Sequence, residues 1–163
     1  MAFARRRRVL QVARATEIAI TTMSRLLLLL LCVDASQLDD FHARIGANDV
    51  QAARQDIAAG VDVNAEDRDH YTALHLAAGF GYTEMLSMLL EAGARVDPID
   101  ENGETPLHLA SNLGHTKAME VLIAAGGDAI VDVKSNAGYT PLHMAAEYGH
   151  AEAARLLLEH GAN

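Results

Sequence analysis

Eight histidines in a chain of 163 residues invite a search for chemistry. Four of them, His42, His75, His108 and His143, follow one another at intervals of 33, 33 and 35 residues. His115 and His150 share a second recurring position, while His70 and His160 fit no pattern and read as surface residues. His143 and Glu147 stand one helical turn apart with His150 beyond them, a spacing that could start a metal site. A closed site needs about four converging donors, however, and a single segment supplies too few. Carboxylates occur in pairs at Asp39-Asp40, Glu66-Asp67 and Asp100-Glu101. Acid–base catalysis by such a pair requires a pocket that pushes the two pKa values apart. These pairs fall at expected helix starts and loop tips, where capping and solvation account for them. The sequence has no Ser/His/Asp order, phosphate-cradling glycine loop or nucleotide fingerprint. Its only cysteine, Cys32, lies in a leucine run, so the rest of the chain has neither a thiol nucleophile nor a disulfide framework. A catalytic group is needed once, and residues that return at a fixed period are more simply explained as architecture. The expectation is a protein that is not an enzyme and uses no cofactor and no metal.

The elements that carry these histidines repeat with them. "TALHLAAGFGY" begins at Thr72, "TPLHLASNLGH" at Thr105 and "TPLHMAAEYGH" at Thr140. In the middle copy Thr105 can cap a helix, and Pro106 suits the first turn, where its missing N–H costs nothing. Leu107 points inward, Ala110 leaves room for a neighbouring helix, and Gly114 supplies the left-handed backbone that ends the element. A second helix is predicted from about Thr116 to Ala125, with Met119, Val121, Leu122 and Ile123 mostly inward. Asn102-Gly103, ahead of Thr105, is a turn dipeptide. Each unit therefore reads as helix, tight turn, helix and extended loop. Two extra residues between Gly126 and Thr140 read as a small lengthening of a surface loop.

The pattern Asp-x-x-Gly-x-Thr-Pro-Leu-His, then Ala, Gly-His, Leu-Leu and Gly-Ala, resembles the ankyrin repeat. "DENGETPLHLASNLGHTKAMEVLIAAGG" (100–127) and "NAGYTPLHMAAEYGHAEAARLLLEHGAN" (136–163) carry it nearly throughout. The copy at 67–97 differs by Ala73 for proline, His70 for glycine and Tyr82 for histidine. A weaker copy at 39–67 has Arg44, Gln55 and Asp56 where the next has Ala77, Met88 and Leu89, polar residues of the kind a terminal capping unit needs. The resemblance implies an all-α solenoid of about four helix-turn-helix units with hairpin loops. The domain spans 36–163, with repeats at about 39–66, 67–99, 100–134 and 135–163. It also implies that the recurrent histidine hydrogen-bonds loop backbone and ties neighbouring units together. Asn64 stands where some ankyrin repeats carry a hydroxylated asparagine; a turn residue bonding its own backbone is the reading preferred here.

The two ends differ. Residues 1–35 hold an arginine cluster (Arg5–Arg8), then Arg25 and the run "LLLLLLCV" up to Val33, with Ala35 before Ser36. Basic region, short apolar run and small-residue site suggest export with cleavage after Ala35. An organellar presequence or a membrane-edge helix is a second reading, and an extension upstream of a true start at Met23 a third. Secreted or periplasmic localisation is favoured, with cytoplasmic the alternative. The last unit has no polar substitutions in "ARLLLEHGAN"; Met144, Leu156, Leu157 and Leu158 resemble residues of internal repeats. Such an end suggests self-association, a bound partner or a longer parent protein.

Function follows from what the repeats leave outside. Residues 34–163 carry 21 acids against seven Lys/Arg, a net of −14, which argues against nucleic acid and favours a basic protein partner. Membrane contact would come only through the leader. The family's contact positions fall here on Arg68, Asp69, Tyr71 and Phe80, on Glu101, Asn102, Glu104, Asn112 and Leu113, and on Asn136, Ala137, Tyr139, Glu147 and Tyr148. Phe80, Leu113 and Tyr148 occupy one equivalent position and should form an aligned apolar stripe with acids beside it. The expected function is protein–protein recognition on a preorganised concave face. The alternatives are a scaffold or targeting segment of a larger protein, or an exported stress- or metal-linked protective factor.

Overall fold

A computed structural model describes residues 37–163, so the leader expectations for 1–35 lie outside the described residues. Helices come in pairs: α1 (37–46) with α2 (Val50–Ala58), α3 (Ala73–Phe80) with α4 (Thr83–Glu91), α5 (Pro106–Asn112) with α6 (Thr116–Gly126), and α7 (Pro141–Glu147) with α8 (Ala151–Glu159). Among the described residues there is no strand. The first helix of each unit packs on the first of the next, α3 on α5 on α7. The second helices stack likewise, α2 on α4 on α6 on α8. Leu38–Asn163 forms one compact unit.

Local chemistry starts and stops each first helix in the same way. Thr72, Thr105 and Thr140 are extended N-cap residues, and each is paired with the histidine three residues on. The threonine N–H donates to histidine Nδ1 at 3.2, 3.1 and 3.3 Å respectively. The histidine thus takes the part usually played by Glu or Gln in a capping box. Gly81, Gly114 and Gly149 follow these helices with φ of 73°, 70° and 75°, a left-handed backbone that costs an L-residue about 1–2 kcal/mol.

Alanine lets the helices approach and leucine or methionine fills between them. Ala77, Ala110 and Ala145 are fully buried at the helix contacts, and Phe41, Leu74 and Leu107 occupy one register position in three successive units. Met85, Leu86, Leu89, Met119, Leu122 and Leu157 close the core from the second helices. On the outer side of the first unit Arg44 pairs with Asp56, so that end carries an ion pair where internal units carry apolar residues. Such a pair keeps a terminal face wet.

The extra residues after Gly126 do not make a free loop. They build a 3-10 turn, Gly127–Ile130, that buries Ile130 and Val131. Gly126 makes this possible, since a Cβ there would lie 2.9 Å from the Ile130 side chain. Burial of two apolar residues outweighs the solvated loop that the sequence suggests.

Candidate partner-binding face

Three loop tips are built alike. In each, a backbone N–H donates to a carbonyl four residues on: Asp67 to Tyr71, Asp100 to Glu104 and Ser135 to Tyr139. A side-chain oxygen of the leading residue holds the turn from inside. Asp100 Oδ1 accepts from Asn102 N–H and Glu104 N–H at 2.9 and 2.8 Å, Asp67 does the same for Asp69 and Tyr71, and Ser135 Oγ accepts from Tyr139. Asp100 is buried, so the Asp100-Glu101 pair is not a solvated tip: Glu101 is exposed and Asp100 is a strut. The pairing of its oxygen with two amides, invisible in composition, explains the difference. The tips are also bonded to one another, Glu101 N–H to Asp69 O at 3.2 Å and Asn136 N–H to Asn102 O at 2.9 Å, with Asn136 Nδ2 on Glu101 O.

The buried histidines fix these tips to the helices. His75 Nε2 reaches Glu104 O at 3.1 Å and His108 Nε2 reaches Tyr139 O at 3.0 Å, each in the following unit. Because Nδ1 accepts from the threonine N–H, Nε2 must carry the proton, and the ring has to stay neutral. Burial accordingly lowers the pKa of His75 and His108, against smaller upward pulls from their hydrogen bonds and nearby carboxylates. His143 caps Thr140 in the same way, but it is exposed and its Nε2 has no partner among the described residues. It does not tie two units. At the second recurrent position His150 Nε2 bonds Asn112 O at 2.9 Å, and the rings of His115 and His150 lie against Gly81 and Gly114.

Asn64 also departs from expectation. Its side chain bonds Gly93 O and accepts from Arg95 N–H, reaching the next unit rather than its own turn. Asp132 holds Asn163 in the matching way. Asp97, in register between them, pairs with Arg95 instead, and the residue it would meet in the next unit lies in the 3-10 turn.

The expected contact residues divide by exposure. Arg68, Asp69, Glu101, Asn102, Asn136, Ala137 and Glu147 are open to solvent, and Tyr71, Glu104 and Asn112 are half-buried. Phe80, Leu113 and Tyr148 are 52%, 53% and 58% exposed at the ends of α3, α5 and α7, and Tyr139 is exposed beside them. Phe80 stacks on Tyr82, with ring centroids 5.4 Å apart. Tyr71 lies against the His75 ring and beside the Asp100 carboxylate. Its phenol pKa is raised, by burial first and by Asp100 second, and that of Glu104 is raised for the same two reasons. Leu158 is open, as its place in the last unit suggests, and Ile99 is an open apolar residue that the sequence did not single out. A position-by-position comparison of units would have drawn attention to Ile99, which stands in register with Glu66 and Lys134.

The family model described as ankyrin repeats (three copies) matches residues 40–131 and 96–163. The chain belongs to the ankyrin-repeat family. None of the curated proteins matches it. Ankyrin repeats are generally protein–protein interaction modules and are typically non-catalytic. In this ankyrin-repeat chain the repeated architecture consumes the buried histidines, the helix-ending glycines and the turn-holding Asp67 and Asp100. What it leaves over is the row of tips and the ends of the first helices.

Proposed function

We propose that this chain is a non-catalytic binding module that holds another protein against the tips and first-helix ends of repeats two to four. The carrying observation is the exposure of Phe80, Leu113 and Tyr148 at one register position in three consecutive units. Large apolar side chains ringed by polar ones are the usual anchors of an interface. Hydrogen bonds between tips and from histidine to tip hold this face in place before a partner arrives, so binding orders little backbone. The acids of the face favour a basic partner and speed encounter. Affinity capture with the wild type and with a Phe80→Ala/Leu113→Ala/Tyr148→Ala variant tests this reading. A protein retained by the first and lost by the second, with both folded, supports it; equal retention rejects it.

A second reading rests on the last unit. Ile123 is 3% exposed where another unit stacks on it, and its counterpart Leu158 is 57% exposed. That surface suits self-association or a further helical unit, as in a scaffold segment. Sedimentation of the chain decides: a monomer that stays monomeric at high concentration removes self-association. Export remains a proposal of the leader sequence alone, checked by N-terminal sequencing of the mature protein. A metal-linked protective role is the weakest of the alternatives; metal analysis of the purified chain removes it if no stoichiometric metal is found. No helix among the described residues is long and apolar enough to cross a membrane.

A further inference from the structure

The three tips share one backbone but not one charge. Asp67–Tyr71 and Asp100–Glu104 together contain five carboxylates against Arg68 and His70, the latter paired with Glu66, whereas Ser135–Tyr139 contains no ionisable acid and follows Lys134. None of the ion pairs among the described residues involves Asp67, Asp69, Asp100, Glu101 or Glu104. The negative charge is also held close, because the Glu101 N–H to Asp69 O bond fixes the first two tips side by side. Asp100, 4% exposed, uses Oδ1 for two amides and lies next to Tyr71 and Glu104. A net negative, preorganised charge of this kind raises the local concentration of cations. No three acid or histidine side chains among the described residues converge as a metal site would require, and the bonds from tip to tip set the charge out in a line along the stack of units.

The apolar stripe runs past this line in the same direction. Phe80 lies in the unit with the first acidic tip, Leu113 in the unit with the second, and Tyr148 in the unit whose tip is Tyr139, Ala137 and Asn136. The face is therefore acidic at repeats two and three and uncharged and aromatic at the tip of repeat four.

We propose that this polarity orients the partner: lysine or arginine side chains of a basic-apolar protein segment lie on the tips of repeats two and three, and its apolar end lies on Tyr139 and Tyr148. The inference rests on the binding face proposed above and adds the direction and charge of what lies on it. Three carboxylates, Asp69, Glu101 and Glu104, are free of the turn-holding bonds and can meet cations without loss of the fold. Packing of helices about 8–10 Å apart spaces the anchors so that a helical partner would meet them about every second turn, and an extended one about every third residue.

The test uses a fluorescein-labelled peptide with a lysine run at one end and a leucine- and phenylalanine-rich segment at the other. It is titrated by anisotropy at low and high salt, and then joined to the protein with a zero-length carbodiimide. Wild type is expected to bind, to weaken several-fold as salt rises through the range where the Debye length falls below about 10 Å, and to form lysine amides at Asp69, Glu101 or Glu104. Asp69→Asn/Glu101→Gln/Glu104→Gln is expected to lose roughly tenfold in affinity and most of the salt dependence. Unchanged affinity and salt dependence in that variant, or amides only at Glu147, overturn the orientation. If the Phe80, Leu113, Tyr148 alanine variant then still loses the peptide, the binding face stands and only its polarity fails. No binding by the wild type overturns the proposal outright.

Discussion

Substituting His108 by alanine separates the architectural histidines from any other role. His108 is fully buried, receives the Thr105 N–H at 3.1 Å and donates to Tyr139 O at 3.0 Å. His108→Ala leaves the Thr105 N–H without its acceptor, at about 1–3 kcal/mol. Tyr139 O keeps the Ser135 N–H at 2.8 Å, so its loss is smaller. Emptying a buried ring site adds about 2 kcal/mol. The sum is about 3–5 kcal/mol, a large share of the 5–15 kcal/mol or so that holds an ordinary domain. His143 sits in the same local motif but is exposed and reaches no following tip, so His143→Ala should cost only about 1 kcal/mol, the worth of a cap. Urea unfolding followed by circular dichroism gives both values, compared at equal slope. Equal losses from the two substitutions would contradict this, because the local motif is shared and only the burial and the bond to the next unit differ. So would a His108→Ala variant within about 0.5 kcal/mol of wild type.

The same geometry sets a pH dependence. Burial lowers the folded-state pKa of His42, His75 and His108, so below an unfolded value near 6.5 the unfolded chain binds protons that the folded chain refuses. Their contribution is present above that pH and falls as pH drops toward the folded values, by at most roughly 4 kcal/mol per pH unit for the three; His108→Ala should remove about a third of the slope in urea midpoints between pH 7 and 5. Gly114→Ala places a Cβ 2.5 Å from the His150 ring at φ +70°, while Gly149→Ala meets nothing within 4 Å at φ +75°. Both should lower Tm, the first distinctly more, and equal losses would deny His150 its contact. His70 holds the turn position of Gly103 and Gly138 at φ +61°, so His70→Gly should raise Tm by a few degrees in scanning calorimetry.

Much of this arrangement was legible in the sequence because it is local and repeated. Threonine caps, helix-ending glycines and inward leucines each depend on neighbours within a turn or two, and three copies of the same string confirm one another. The polar first unit was legible for the same reason, as a departure from a known register. What the sequence hid depends on contacts between units. Asp100 and Glu101 are adjacent acids, and only the fold decides that one is buried under two amides while the other faces water. Asn64 looks like any turn asparagine until Gly93 and Arg95 are brought to it. Ile130 and Val131 looked like loop residues because nothing nearby in sequence announces that Gly126 leaves them a seat. The contact face was legible only as a set of positions; its charge polarity emerged once the tips were placed side by side.

The central claim is that the periodic residues build the stack and the outward ones bind. It is tested most directly by measuring, for one captured partner, the dissociation constant and the urea midpoint of the Phe80, Leu113, Tyr148 triple alanine variant together. Binding is expected to fall by at least about a hundredfold, as loss of clustered anchors does, with the midpoint close to wild type. A variant that unfolds early yet binds the partner with undiminished affinity would contradict it.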